Sequence, residues 1–135
     1  MTLSAARWLI VVVGVLLPYL VRLPGGWDWV DQYQPLDWES GLLIGGWNAV
    51  VWVALLLISL AYRYPVSLLL PVLAGFGFAG YWHAVTDLRE DAQSAIALIL
   101  IPLYALAPIA VGAVLGGGVD WWLRRRGRTS PPAEN

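Results

Sequence analysis

The sequence predicts an all-α integral membrane protein: four transmembrane helices in a bundle, both termini in the cytoplasm, and an aromatic-rich outer loop between helices 1 and 2. Three observations carry this. Of the 135 residues, 59% are hydrophobic and only 13% are charged. A soluble domain carries about 25% charged residues, so much of this surface must face lipid. Four apolar runs stand apart, with most of the charge held in the connectors between and after them. No run alternates polar and apolar residues as a membrane strand does. A backbone in hydrocarbon must satisfy its hydrogen bonds internally, which leaves helices.

The first run is RWLIVVVGVLLPYLVRL, 7–23. It is short against the roughly 20 residues a crossing helix needs, and a start near Ser4 adds a turn. Arg7 ahead of an apolar stretch resembles the opening of a signal peptide. No small-residue cleavage site follows, only LPYLVRLPGG, so the run is expected to stay as an uncleaved helix. The connector 24–40 then contains GGWDWVDQYQPLDWES, with Trp27, Trp29, Trp38 and Tyr33 beside Asp28, Asp31, Asp37 and Glu39, and no base. Tryptophan favours the lipid–water boundary, while the acids face water. This connector is longer than the 2–8 residues or so usual between bundle helices. A short interfacial helix or folded cap close to His83 is therefore expected. DWES supplies capping groups for the next helix.

The second run is GLLIGGWNAVVWVALLLISLAY, 41–62. Gly41, Gly45 and Ala49 make a small-residue stripe suited to close helix contact. Asn48 is the one amide inside a span. A polar group at that depth is either functional or bonded to a neighbouring helix. RYP closes the turn to the third run, VSLLLPVLAGFGFAGYWHAV, 66–85, where Gly75 and Ala79 repeat the small spacing. YWHAVTD holds the only histidine. His83 and Asp87 share a face if the helix continues, and Glu90 and Asp91 follow. This is a candidate cation or proton site at the outer mouth. The structural alternatives are an interfacial histidine bonded to an acid or water, or Asp87 capping the fourth helix with Glu90. One imidazole among scattered acids is a weak metal signature, so no metal and no cofactor are expected.

The fourth run is SAIALILIPLYALAPIAVGAVLGGG, 94–118, preceded by DAQS. Pro102 and Pro108 flank Tyr104 and deprive the carbonyls of Leu98 and Tyr104 of their usual donors. The result is either a kink that aids packing or a broken helix of the kind that forms transporter sites. Gly112 and Gly116 mark a contact face, within the bundle or between two copies. Residues 1–122 read as one membrane domain, and 123–135 as a basic then disordered tail. LLP at 16–18 and 69–71 hints at two related hairpins.

Orientation follows from the arginines. Arg7, Arg63, Arg124, Arg125, Arg126 and Arg128 fall on one side, and Arg22 and Arg89 on the other. Positive charge stays inside, so both termini are expected in the cytoplasm of a bacterial inner membrane, with 24–40 and 86–93 outside. Trp8, Trp121 and Trp122 then anchor the inner interface, and Trp27, Trp29, Trp38 and Trp82 the outer one. A net charge of −1 gives no field to gather nucleic acid. There is no cysteine and no mid-span acid or base, which argues against thiol chemistry, a central-carboxylate antiporter and a voltage sensor. No catalytic motif is present. The expected role is a non-catalytic accessory or membrane-organising protein, with the lipid bilayer and a homo-oligomer or larger membrane complex as partners. The alternatives are an oligomeric channel or transporter with a polar path near Asn48, Tyr104 and the outer acids, and an enzyme on lipid-linked substrates at the outer face.

Overall fold

The computed structural model describes residues 1–33, 37–90 and 94–128. Every regular element among them is helical, and four helices are long and apolar enough to cross a membrane. The protein is a multi-pass membrane protein.

Helix α1 (Leu3–Leu20) starts earlier than the apolar run alone implies. The Thr2 hydroxyl accepts the Ala5 amide at 3.2 Å and caps it. A 3-10 turn, Leu23–Gly25, and Gly26 at φ 87° then swing the chain into the short α2 (Trp27–Asp31). That φ is the one positive value among the described residues, and it suits a residue without Cβ. Helix α3 (Trp38–Ser59) begins as DWES suggests. Asp37 accepts the Ser40 amide at 2.7 Å, and Ser40 holds its carboxyl below the usual range. The 3-10 turn Pro65–Leu68 leads into α4 (Leu69–Val85), which ends where Thr86 turns extended.

Helix α5 (Ser94–Arg128) differs from the sequence reading. It has 35 residues, about 52 Å at 1.5 Å per residue, against roughly 30 Å of hydrocarbon. It does not stop at Gly118 but continues through VDWWLRRR. The reason is tertiary. Asp120 and Arg124, one turn apart, are both bound to the turn that joins α3 to α4. The helix also passes both prolines unbroken. Trp47 Nε1 of α3 donates to the Ile99 carbonyl at 2.7 Å, beside the Leu98 carbonyl that Pro102 leaves without its usual donor. Asp91 and the tail beyond Arg128 lie outside the described residues.

Around the bundle the order is α1, α3, α5, α4, with α1 and α5 on opposite corners. The core is Ile10, Val51, Leu55, Phe76, Ala79, Ala105 and Ile109. Small residues set the α4–α5 seam. A Cβ on Gly75 would lie 2.5 Å from Ile109 Cγ1, and one on Gly112 2.7 Å from Pro71 Cα. Gly116 lies against the Ser67 carbonyl and the Tyr62 hydroxyl, and that hydroxyl donates to the Ala113 carbonyl at 2.6 Å. Gly112 and Gly116 thus pack inside one bundle. Within the Gly41, Gly45 and Ala49 stripe, Gly45 does not make the close helix contact the spacing suggests: a Cβ there would meet nothing within 4 Å. The α1–α3 approach is made at Gly14, where a Cβ would lie 2.5 Å from Trp52, and beyond it a cleft opens. Gly14→Leu is expected to cost about 1–3 kcal/mol through overpacking. Gly45→Leu should stay within about 0.5 kcal/mol of the parent protein. Unfolding midpoints in mixed detergent micelles check both.

Candidate functional site

The polar groups at the α2 end of the bundle gather around Arg22, which follows α1 and is 0% exposed. Its Nη1 donates to the Trp29 carbonyl at 3.2 Å and to Gln32 Oε1 at 3.4 Å, and its Nη2 to the Thr86 carbonyl at 2.9 Å. Gln32 Oε1 also accepts the Leu88 amide at 3.0 Å. Trp29 Nε1 donates to the Ala84 carbonyl at 3.2 Å. One buried guanidinium and these side chains tie α2 down onto the end of α4. This is the folded cap that the length of the connector suggested. Trp29 belongs inside it rather than to the lipid interface. Trp8, Trp27, Trp38, Trp82, Trp121 and Trp122 are exposed, and Arg125 and Arg126 stack on the last two at 3.9 and 3.7 Å.

Tyr33 lies directly beneath the cap and is 4% exposed. Its ring packs edge-to-face on Tyr19 at 5.2 Å and on His83 at 5.5 Å, with the Arg22 guanidinium 5.6 Å from its centroid. Its hydroxyl accepts a hydrogen bond from Asn48 Nδ2. Burial pushes the phenol well above its ordinary range, with Tyr19 adding and Arg22 opposing, so it stays protonated. His83 is 2% exposed, and its Nδ1 has no hydrogen-bond partner among the described residues. Two hollows adjoin this cluster. A cleft of about 170 Å³ opens between α1 and α3, lined by Gly14, Pro18, Tyr19, Tyr33, Gly41, Gly45, Asn48 and Trp52 among others. A void of about 10 Å³ lies deeper, lined in part by Gly14, Pro18, Asn48 and His83. It has room for about one water.

Asn48 and His83, two of the four polar candidates, therefore join one cluster: each touches Tyr33, and both line the small void. The other two do not join them. Asp87 does not share a helical face with His83, because α4 ends at Val85. Its Oδ1 instead accepts the Arg89 amide of its own turn at 2.9 Å. Tyr104 is 61% exposed and lines a shallow apolar hollow with Phe78 and Trp82, away from the cleft. Arg22, Gln32 and Tyr33 are not among the site candidates that the sequence offers. Arg22 did carry a signal: it is an arginine at the end of an apolar run, on the side from which the other arginines are nearly absent. Among the described residues, no three of His, Cys, Asp or Glu come together as metal ligands would. No family model matches the chain, and no curated protein or solved structure matches it.

Proposed function

We propose that this is a non-catalytic accessory or membrane-organising protein of a bacterial cytoplasmic membrane, with both termini inside and the α2 cap outside. One observation supports it above the others. Between the Asn48 cluster and Asp120 at the far end, the bundle axis is filled by Leu55, Phe76, Ala105 and Ile109, none more than 8% exposed. A hydrated solute crossing that layer would lose its water without replacement, so the arrangement favours a packed scaffold over a conduit. The cap contributes an exposed tryptophan, Trp27, at the level where a second membrane protein would meet it.

The test is purification of the full chain in mild detergent from its native membrane. A stoichiometric membrane partner is the expected result. If the chain is isolated alone, and proteoliposomes show a solute flux that Asn48→Leu abolishes, the accessory role is wrong and transport replaces it. Orientation has its own check. A reporter fused after Asn135 should read as cytoplasmic, and an external reading reverses the assignment.

A further inference from the structure

We propose that the cleft between α1 and α3 binds a carbonyl-bearing ring of the benzoquinone class, carried by an amphiphile dissolved in the bilayer. This goes beyond the accessory role, which stands or falls separately.

Size and shape come first. An engineered cavity of about 150 Å³ accepts benzene, and this cleft measures about 170 Å³, enough for one six-membered ring. Gly41 and Gly45 leave one wall bare, and a Cβ on Gly45 would meet nothing within 4 Å. Tyr19 and Trp52 supply aromatic surfaces to the lining. Val15 and Ile44 also border the cleft, and both belong to spans that face lipid, so a tail would leave between α1 and α3 into hydrocarbon.

The polar end determines the chemistry. The Tyr33 oxygen accepts from Asn48, which leaves the phenolic hydrogen free to donate. Asn48 keeps a second N–H of its amide. His83, whose buried Nδ1 has no partner among the described residues, lines the void that shares Gly14, Pro18 and Asn48 with the cleft. Behind Tyr33 lies the Arg22 guanidinium, which makes no ion pair among the described residues. The Tyr33 and Asn48 donors thus converge, with positive charge behind them and no carboxylate among the residues lining either hollow. Such a floor accepts a carbonyl oxygen and repels a cation. Polar groups open to hydrocarbon are costly when left unmet, and a ring carbonyl meets them where bulk water is absent.

The test uses the full chain in lipid nanodiscs, titrated with a decyl-substituted benzoquinone and, as a control, with decylbenzene. Quenching of tryptophan fluorescence should show a saturable component of one quinone per chain above the linear background. Decylbenzene should not compete it away at equal concentration. Gly45→Leu should abolish the saturable component without moving the unfolding midpoint. Asn48→Leu and Tyr33→Phe should each weaken binding by about tenfold, the loss of roughly one good hydrogen bond. Tyr33→Phe keeps the ring packing, so it serves even if Asn48→Leu misfolds. The proposal is overturned by purely linear quenching, by saturable binding that survives Gly45→Leu, or by equal competition from decylbenzene. It is also overturned if Tyr33→Phe leaves affinity unchanged, since the cleft would then take an apolar group without reading a carbonyl.

Discussion

Asp120→Ala is expected to unlatch the end of the bundle where α3 turns into α4, at a cost of about 2–4 kcal/mol, the loss of one charged acceptor that several hydrogen bonds share. Asp120 is 2% exposed. Its Oδ1 accepts the Arg63 and Tyr64 amides at 2.9 and 3.0 Å and the Ser67 hydroxyl at 3.2 Å. Its other oxygen pairs with Arg124, which also donates to the Ala61 carbonyl at 2.9 Å. The turn Pro65–Leu68 has no side-chain cap of its own, so a carboxylate from α5 performs the capping. Removing it leaves two amides, a hydroxyl and a guanidinium without their acceptor. Asp120→Asn keeps an acceptor but loses the charge, and should cost about 1–3 kcal/mol. Arg124 is 34% exposed, and water can replace much of what it gives. Arg124→Ala should therefore cost about 0–1 kcal/mol, as for surface pairs. Unfolding midpoints in mixed micelles rank the three. A midpoint for Asp120→Ala within error of the parent protein would refute the latch.

That latch was invisible in the sequence, and the reason is separation. The partners of Asp120 in the turn are 53 to 57 residues away, and two of them are backbone amides. No residue type announces such a bond. What was legible depended on short-range physics. Four spans follow from the length of apolar runs, the Asp37 cap from DWES, and the folded cap from a connector too long for a turn. Where the reading failed, it extended a local pattern past its limit. His83 and Asp87 have helical spacing, yet Thr86 leaves the helix. Gly41 and Gly45 have the spacing of a packing stripe, yet they border open space. Gly118 looked like a terminus, yet anchors further along keep α5 helical. Asn48 stands out in the sequence as the one amide within a span. Its partner Tyr33, 15 residues back, could be found only once α2 was seen folded over the bundle.

Arg22→Met is expected to release that cap, lowering stability by about 2–4 kcal/mol. The opposing effect is real. A guanidinium buried in place of an apolar side chain loses its hydration, and replacing such groups with well-packed hydrophobes is sometimes stabilising. Geometry decides between them here. Arg22 bonds to acceptors on both sides of the cap, Trp29 and Gln32 on one and Thr86 on the other, and methionine can satisfy none. Two of those acceptors are backbone carbonyls that no substitution removes. Arg22→Lys keeps the charge, but a single ammonium cannot reproduce the planar fork, so it should fall between Met and the parent protein. Trp29→Phe loses only the bond to the Ala84 carbonyl and should cost about 1 kcal/mol. Limited proteolysis of the 24–40 connector in nanodiscs separates cap release from general unfolding. Arg22→Met should be cut there while the helices stay protected, and cutting should be unchanged in Asp120→Asn. Because Arg22 and Gln32 serve one junction, Arg22→Met and Gln32→Leu together should cost less than the sum of the two. Strict additivity, or a connector as resistant in Arg22→Met as in the parent protein, would mean that the arginine is buried without holding the cap.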